Sequence, residues 1–255
     1  MSVEGFWDIQ EEFESEMGWN TLENIQNADN TEDTRIEELN FSLYRAFAET
    51  AEMYHEATGI SLDKSRGQEI SEEQYDNLGY ETVDILLFLK KAGDTLNNDI
   101  ETYLGEERKE RYEDTGDNLE ELLEPRLEPE IQNEEERVDE IKSYAEGVVE
   151  DIGPQEPDVD NLYNEFREIF TSKDYSKDNE LGEKLAATML DIVEMMEYLP
   201  RDVSEYFKEK QEKNERRLNS GEDFGEGSQS YGETPDWILK PEDKGVEPAY
   251  INIVS

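Results

Sequence analysis

Apolar residues recur at intervals near three and four through most of the chain, the spacing that lines one face of an α-helix, while strand-type alternation is nearly absent. Ile36, Leu39, Leu43, Phe47 and Ala51 form one such stripe and predict a helix over about 35–57, with Gly59 as its stop. Leu78, Val83, Leu86, Leu87 and Leu89 form a second, over about 72–92. With Phe88, its latter half is apolar almost all round, which implies burial on most sides. Further helices are predicted over about 98–112, through VDEIKSYAEGVVEDI up to Gly153-Pro154, and over 162–171, 181–198 and 202–218. The polar stretches NTLENIQNADNTED and SLDKSRGQEIS read as loops, and residues 6–17 read as an acidic amphipathic segment. The expected fold class is all-α, a helical bundle.

The halves resemble each other. LYRAFAE at 43–49 matches LYNEFRE at 162–168, ETVDILLFL at 81–89 matches TMLDIVEMM at 188–196, and DIETYL at 99–104 matches DVSEYF at 202–207, in the same order. Two fused, pseudo-symmetric repeats are therefore expected. The first spans 1–112 and the second 158–220. Between them lies an acidic linker with a helical segment at 113–157, which carries Pro125 and Pro129, and a Gly/Ser-rich extended tail follows at 221–255.

Composition narrows the chemistry. The chain has no cysteine and a single histidine, His55, which removes structural zinc sites, thiol catalysis and most histidine-based triads. With 69 acidic and 24 basic residues its formal net charge is −45. Molar salt shortens the Debye length to about 3 Å and relieves such repulsion, so the acidity, spread over the whole chain, points to a halophilic source. No Lys/Arg stripe offers phosphate neutralisation, so stable nucleic-acid binding is not expected. No run approaches the roughly 18 apolar residues of a membrane span, and MSVEGFWDIQEEFESE lacks the basic and apolar regions of a signal peptide. A cytoplasmic protein is expected.

Two short acidic motifs stand out, Glu49-x-x-Glu52 and Glu81-x-x-Asp84. Carboxylates three apart project from one face of a helix and repel each other slightly, so their repetition on two apolar helices suits a hard divalent cation. Glu52-x-x-His55 also matches half of a di-iron signature, but that needs a second copy and the chain has no second histidine.

This spacing, with the surrounding EEQYDNLGYETVDILLFLKKAGDTLNNDIETYL and the earlier FESEMGW, resembles the MazG-like all-α nucleoside triphosphate pyrophosphohydrolases. The resemblance covers about 6–112 and, more weakly, 160–218. It implies that Glu49, Glu52, Glu81 and Asp84 hold Mg²⁺, or Mn²⁺ in its place, and carry the catalysis. It also implies a helical bundle made from two protomers or from fused copies, here with a homodimer open. The second copy departs from the pattern: Thr188 falls at the place of Glu81, Asp191 at Asp84, Glu168 at Glu49 and Thr171 at Glu52. A Lys-x-x-x-Asn-x-x-Arg pattern in the family's last helix implies substrate contacts from Lys210, Asn214 and Arg217. The corresponding first-copy helix carries Glu107 and Arg111. Trp19 is a candidate to stack on a nucleobase. The expected activity is release of pyrophosphate from a nucleoside triphosphate, the alternative a non-catalytic acidic helical interaction module.

Overall fold

The structure is a computed structural model that describes residues 21–28, 31–96, 99–113, 133–153, 159–172 and 178–220, together with 121 and 131. Trp19, the segment at 6–17, most of the linker and the tail at 221–255 lie outside the described residues. Eight helices and no strand are present among the described residues. They are α1 (Thr21–Asn27), α2 (Thr31–Ser65), α3 (Glu72–Gly93), α4 (Ile100–Tyr112), α5 (Glu134–Ile152), α6 (Leu162–Ser172), α7 (Asp178–Met196) and α8 (Val203–Ser220). None of the described helices is long and apolar enough to cross a membrane.

Helix α3 starts where its sequence says it should. Ser71 accepts a hydrogen bond from the Gln74 N–H while the Gln74 side chain accepts from the Ser71 N–H, a reciprocal capping box that satisfies two otherwise orphaned donors. Asp99 and Asn133 cap α4 and α5 in the same sense.

Two expectations fail at α2. The polar stretch before it is not a loop, since residues 21–27 form α1 and α2 already begins at Thr31. Side-chain bonds across the junction hold α1: Thr21 Oγ1 donates to Glu38 at 3.2 Å and Asn24 Nδ2 donates to Glu38 at 2.8 Å. Nor does Gly59 end the helix, which runs to Ser65. Ala57 and Ile60 are buried on either side of Gly59, and that burial outweighs the modest cost of a helical glycine. The chain turns instead at Gly67, whose φ of +73° suits glycine.

Helices α2 and α3 form the main hairpin, and α5 packs along α2. Helix α7 closes the bundle against α3 and α5, with α6 on its flank. The helical segment expected within the linker is α5, and it is a core element: Val138, Ile141, Ala145, Val148 and Ile152 are buried. The outer helices cross over, since α4 packs on α7 and α8 packs on α3. Both crossings are close approaches over glycine. A Cβ on Gly79 would lie 2.5 Å from Tyr206 Cδ1, and a Cβ on Gly182 would lie 2.5 Å from Tyr103 Cε2.

Candidate metal centre

The hairpin of α2 and α3 brings the predicted carboxylates together. Glu49 and Glu52 lie on α2, Glu81 and Asp84 on α3, and their inward neighbours Thr50, Met53, Thr82 and Val83 are buried. Thr50 and Thr82 satisfy their hydroxyls by donating to Ala46 O and Leu78 O, both at 2.7 Å, so they offer nothing to the cluster. One carboxylate oxygen each from Glu49, Glu52 and Glu81 lies within 4.8 Å of the others.

Burial pushes the Glu49 carboxyl up to about 8, helped by the negative charges of Asp84, Glu81 and Glu52 and opposed by Lys210. Glu81 is raised in turn by burial and by Asp84, while a hydrogen bond with Glu49 and the charge of Lys210 work the other way. In the metal-free protein the cluster thus keeps a proton that exposed glutamates would have lost. Lys210 alone among the groups that act on Glu49 opposes this, and the carboxylates around it outnumber it. An all-oxygen donor set from Glu49, Glu52 and Glu81 fits Mg²⁺ or Mn²⁺, with Asp84 beside it engaged by Lys210.

Lys210 is where the structure changes the expectation. It was expected among the substrate contacts, yet it is only 6% exposed and its Nζ donates to Asp84 inside the cluster. Helix α8 delivers it because that helix is fixed on α3 below: Arg201 pairs with Asp76 at 3.0 Å and Glu209 at 2.5 Å, and Tyr80 donates to Glu209. Asn214 and Arg217 lie on α8, with side chains outside the described ones. His55 is exposed and is not among the clustered carboxylates. The guanidinium of Arg45, one turn from Glu49, and Nζ of the buried Lys91, two turns from Asp84, each lie 5.7 Å from the centre of the Phe88 ring.

The second half holds a different arrangement. Arg111 on α4 reaches Asp191 Oδ1 at 2.6 Å, Glu107 Oε1 at 2.6 Å, Glu194 Oε1 at 3.3 Å and Ala187 O at 3.2 Å. Tyr112 and Tyr144 donate to Glu194. A further carboxylate near Asp191 is Asp151 on α5, raised by burial and then by Asp191. Glu168 and Thr171, expected as the counterparts of Glu49 and Glu52, are exposed on α6, while Thr188 is buried. Asp151 and the role of Arg111 escaped the sequence because nothing in the periodicity says whether α5 or α6 faces α7.

In comparisons with known protein families, curated proteins and solved structures, none matches this chain.

Proposed function

We propose that the chain is a Mg²⁺-dependent nucleoside triphosphate pyrophosphohydrolase of MazG-like type, built from two fused copies with one metal centre. The observation that carries this reading is the convergence of Glu49, Glu52 and Glu81 from two helices into a cluster, with Asp84 beside it, where Glu49 is pushed up to about 8. Carboxylates held in that state are costly unless a cation compensates them. Mg²⁺ bound there, or Mn²⁺, would polarise a phosphate and lower the pKa of an attacking water.

The protein's own groups supply the rest. Whichever of the four carboxylates the cation leaves unengaged would accept a proton from the water that attacks the α-phosphorus. The bond to the pyrophosphate leaving group then breaks, giving a nucleoside monophosphate. Arg45, one turn from Glu49, would meet the anionic end of the substrate, while Lys91, two turns beyond Asp84, is buried behind Phe88. Lys210, from the other half, is close enough to join Arg45.

The fused-copy reading is supported by the crossed outer helices. Tyr206 sits on Gly79 and Tyr103 on Gly182, and both residue pairs are related by the same shift of 103 positions. A second reading, that of a non-catalytic interaction module, is favoured by Lys210, which gives Asp84 an internal partner without any metal.

Pyrophosphate release from a panel of ribo- and deoxyribonucleoside triphosphates, at 2 M KCl with Mg²⁺, separates the two. Activity lowered about 10²-fold or more in Glu81→Gln is expected, in keeping with loss of a metal ligand. Activity absent from both proteins favours the module, and activity that survives the substitution refutes the ligand assignment.

A further inference from the structure

We propose that the centre takes a single divalent ion and that Lys210 is fixed in the place of a second: its ammonium stays on Asp84 with metal bound as without it. This rests on the metal-centre reading above and adds a stoichiometry that the convergent carboxylates do not themselves dictate, since paired ions about 3.5–4 Å apart are a common use of such clusters.

Three observations carry it. First, the carboxylates divide. One oxygen each from Glu49, Glu52 and Glu81 meet within 4.8 Å, a group to which Asp84 does not belong. Asp84 accepts from Lys210 Nζ instead. Second, the ammonium stands at the cluster itself. Its charge acts on Glu49 and on Glu81 while it pairs with Asp84, so an ion that shared Asp84 with either glutamate would sit against it. Because Lys210 is buried, solvent and salt do little to screen that repulsion.

Third, the lysine is held on both sides by α3, the helix that carries Asp84. Before it on α8, Arg201 joins Asp76 and Glu209, Tyr80 donates to Glu209, and Tyr206 lies against Gly79. Beyond it, Lys213 Nζ lies 5.7 Å from the centre of the Tyr80 ring. Lysine and carboxylate are thus braced on the same pair of helices. Parting them would strand a charge of each sign in a largely buried place, which is the costly way to break an ion pair.

Charge agrees with this count. Four ionised carboxylates against one divalent ion and one ammonium leave a single negative charge, which is what one proton acceptor requires. A second divalent ion would leave the centre positive and no carboxylate for that task.

The test is titration of the full chain with Mn²⁺ at 2 M KCl, the bound metal counted by equilibrium dialysis and read by electron paramagnetic resonance. The natural chain is expected to take one Mn²⁺, with the hyperfine pattern of an isolated ion. Lys210→Gln, which relieves Asp84 of the ammonium, is expected to take two, with the broadened spectrum of spin-coupled ions about 3.5–4 Å apart. Lys210→Met serves the same purpose should the glutamine variant not fold, and Lys210→Arg, which keeps the charge, is expected to stay at one. Two coupled ions in the natural chain overturn the inference and leave the metal centre standing. A single ion in the uncharged variants overturns it as well, because Lys210 then only braces α8 on α3. Absence of Mn²⁺ from every one of these proteins overturns the metal centre itself.

Discussion

Replacing Glu49 by Gln makes the metal-free protein less sensitive to alkaline pH. Glu49 holds its proton up to about 8 in the folded chain, against 4.5 for an unburied glutamate. Its contribution to stability is therefore fully present below 4.5 and is lost as pH rises through about 8, because the folded state binds the proton that the unfolded state has released. At 1.36 kcal/mol per pKa unit the full interval is worth about 5 kcal/mol. Glu81 shares the proton and Lys210 relaxes towards the charge, so about 2–4 kcal/mol is expected. Glutamine approximates the protonated carboxyl at every pH. Urea unfolding followed by circular dichroism, in 2 M KCl with EDTA from pH 5 to 8.5, should give near-equal stabilities at the acid end and a widening advantage for Glu49→Gln above pH 6. Saturating Mg²⁺ should reverse the order, since the natural chain alone keeps the full ligand set, and metal at about 100-fold over its Kd adds about 2.7 kcal/mol. Stabilities that run parallel across the whole pH range would refute the reasoning.

Arg111→Gln strands Asp191, Glu107 and Glu194, all part-exposed, and should cost about 2–3 kcal/mol, below the 3–5 typical of a fully buried pair, by the same urea assay. Gly79→Ala and Gly182→Ala push Tyr206 and Tyr103 off their helices and should each cost about 1–3 kcal/mol, whereas Gly59→Ala, which meets nothing within 4 Å, should stabilise by about 0.5–1 kcal/mol. Thermal melting in 50 mM against 2 M KCl should show a large loss of stability at low salt; unchanged melting would sink the halophilic reading of the −45 net charge.

The core helices were legible because their periodicity and caps agree: the stripe from Leu78 to Leu89 and the Ser71–Gln74 capping box place α3 within a residue. Where tertiary contacts decide, the pattern is silent. Helix α1 is polar on its own and is held by bonds to Glu38, seventeen and fourteen residues away. Glycine signals a stop only where the backbone must turn left-handed, as at Gly67 and not at Gly59. The meeting of Glu49, Glu52 and Glu81 could be foreseen because three-residue spacing fixes the direction of carboxylates on a helix. The place of Lys210 could not, because it depends on the register of α8 on α3, which Tyr206 and Gly79 set.

On the fused-copy reading proposed above, that register also revises how the halves correspond. Gly79 with Gly182, and Tyr103 with Tyr206, align under a shift of 103 positions without a gap. The shift sets Glu81 opposite Lys184 and Asp84 opposite Ala187, one turn away from the alignment with Thr188 and Asp191 drawn from local similarity. Both α3 carboxylates are then absent from the second copy. Under the same shift Arg111 falls on Asn214 and Asp191 on Phe88, so the Arg111–Asp191 pair maps onto 214 and 88, separated by 126 positions. Lys210 and Asp84 are also separated by 126. The two cation–carboxylate crossings are thus the same interface, used one helical turn apart. In one half the crossing ends on a buried lysine paired with Asp84, and in the other on a guanidinium held by several acceptors. The difference lies in how many acceptors each cation serves: Arg111 meets Asp191, Glu107 and Glu194 together, whereas beside Lys210 and Asp84 the oxygens of Glu49, Glu52 and Glu81 face one another.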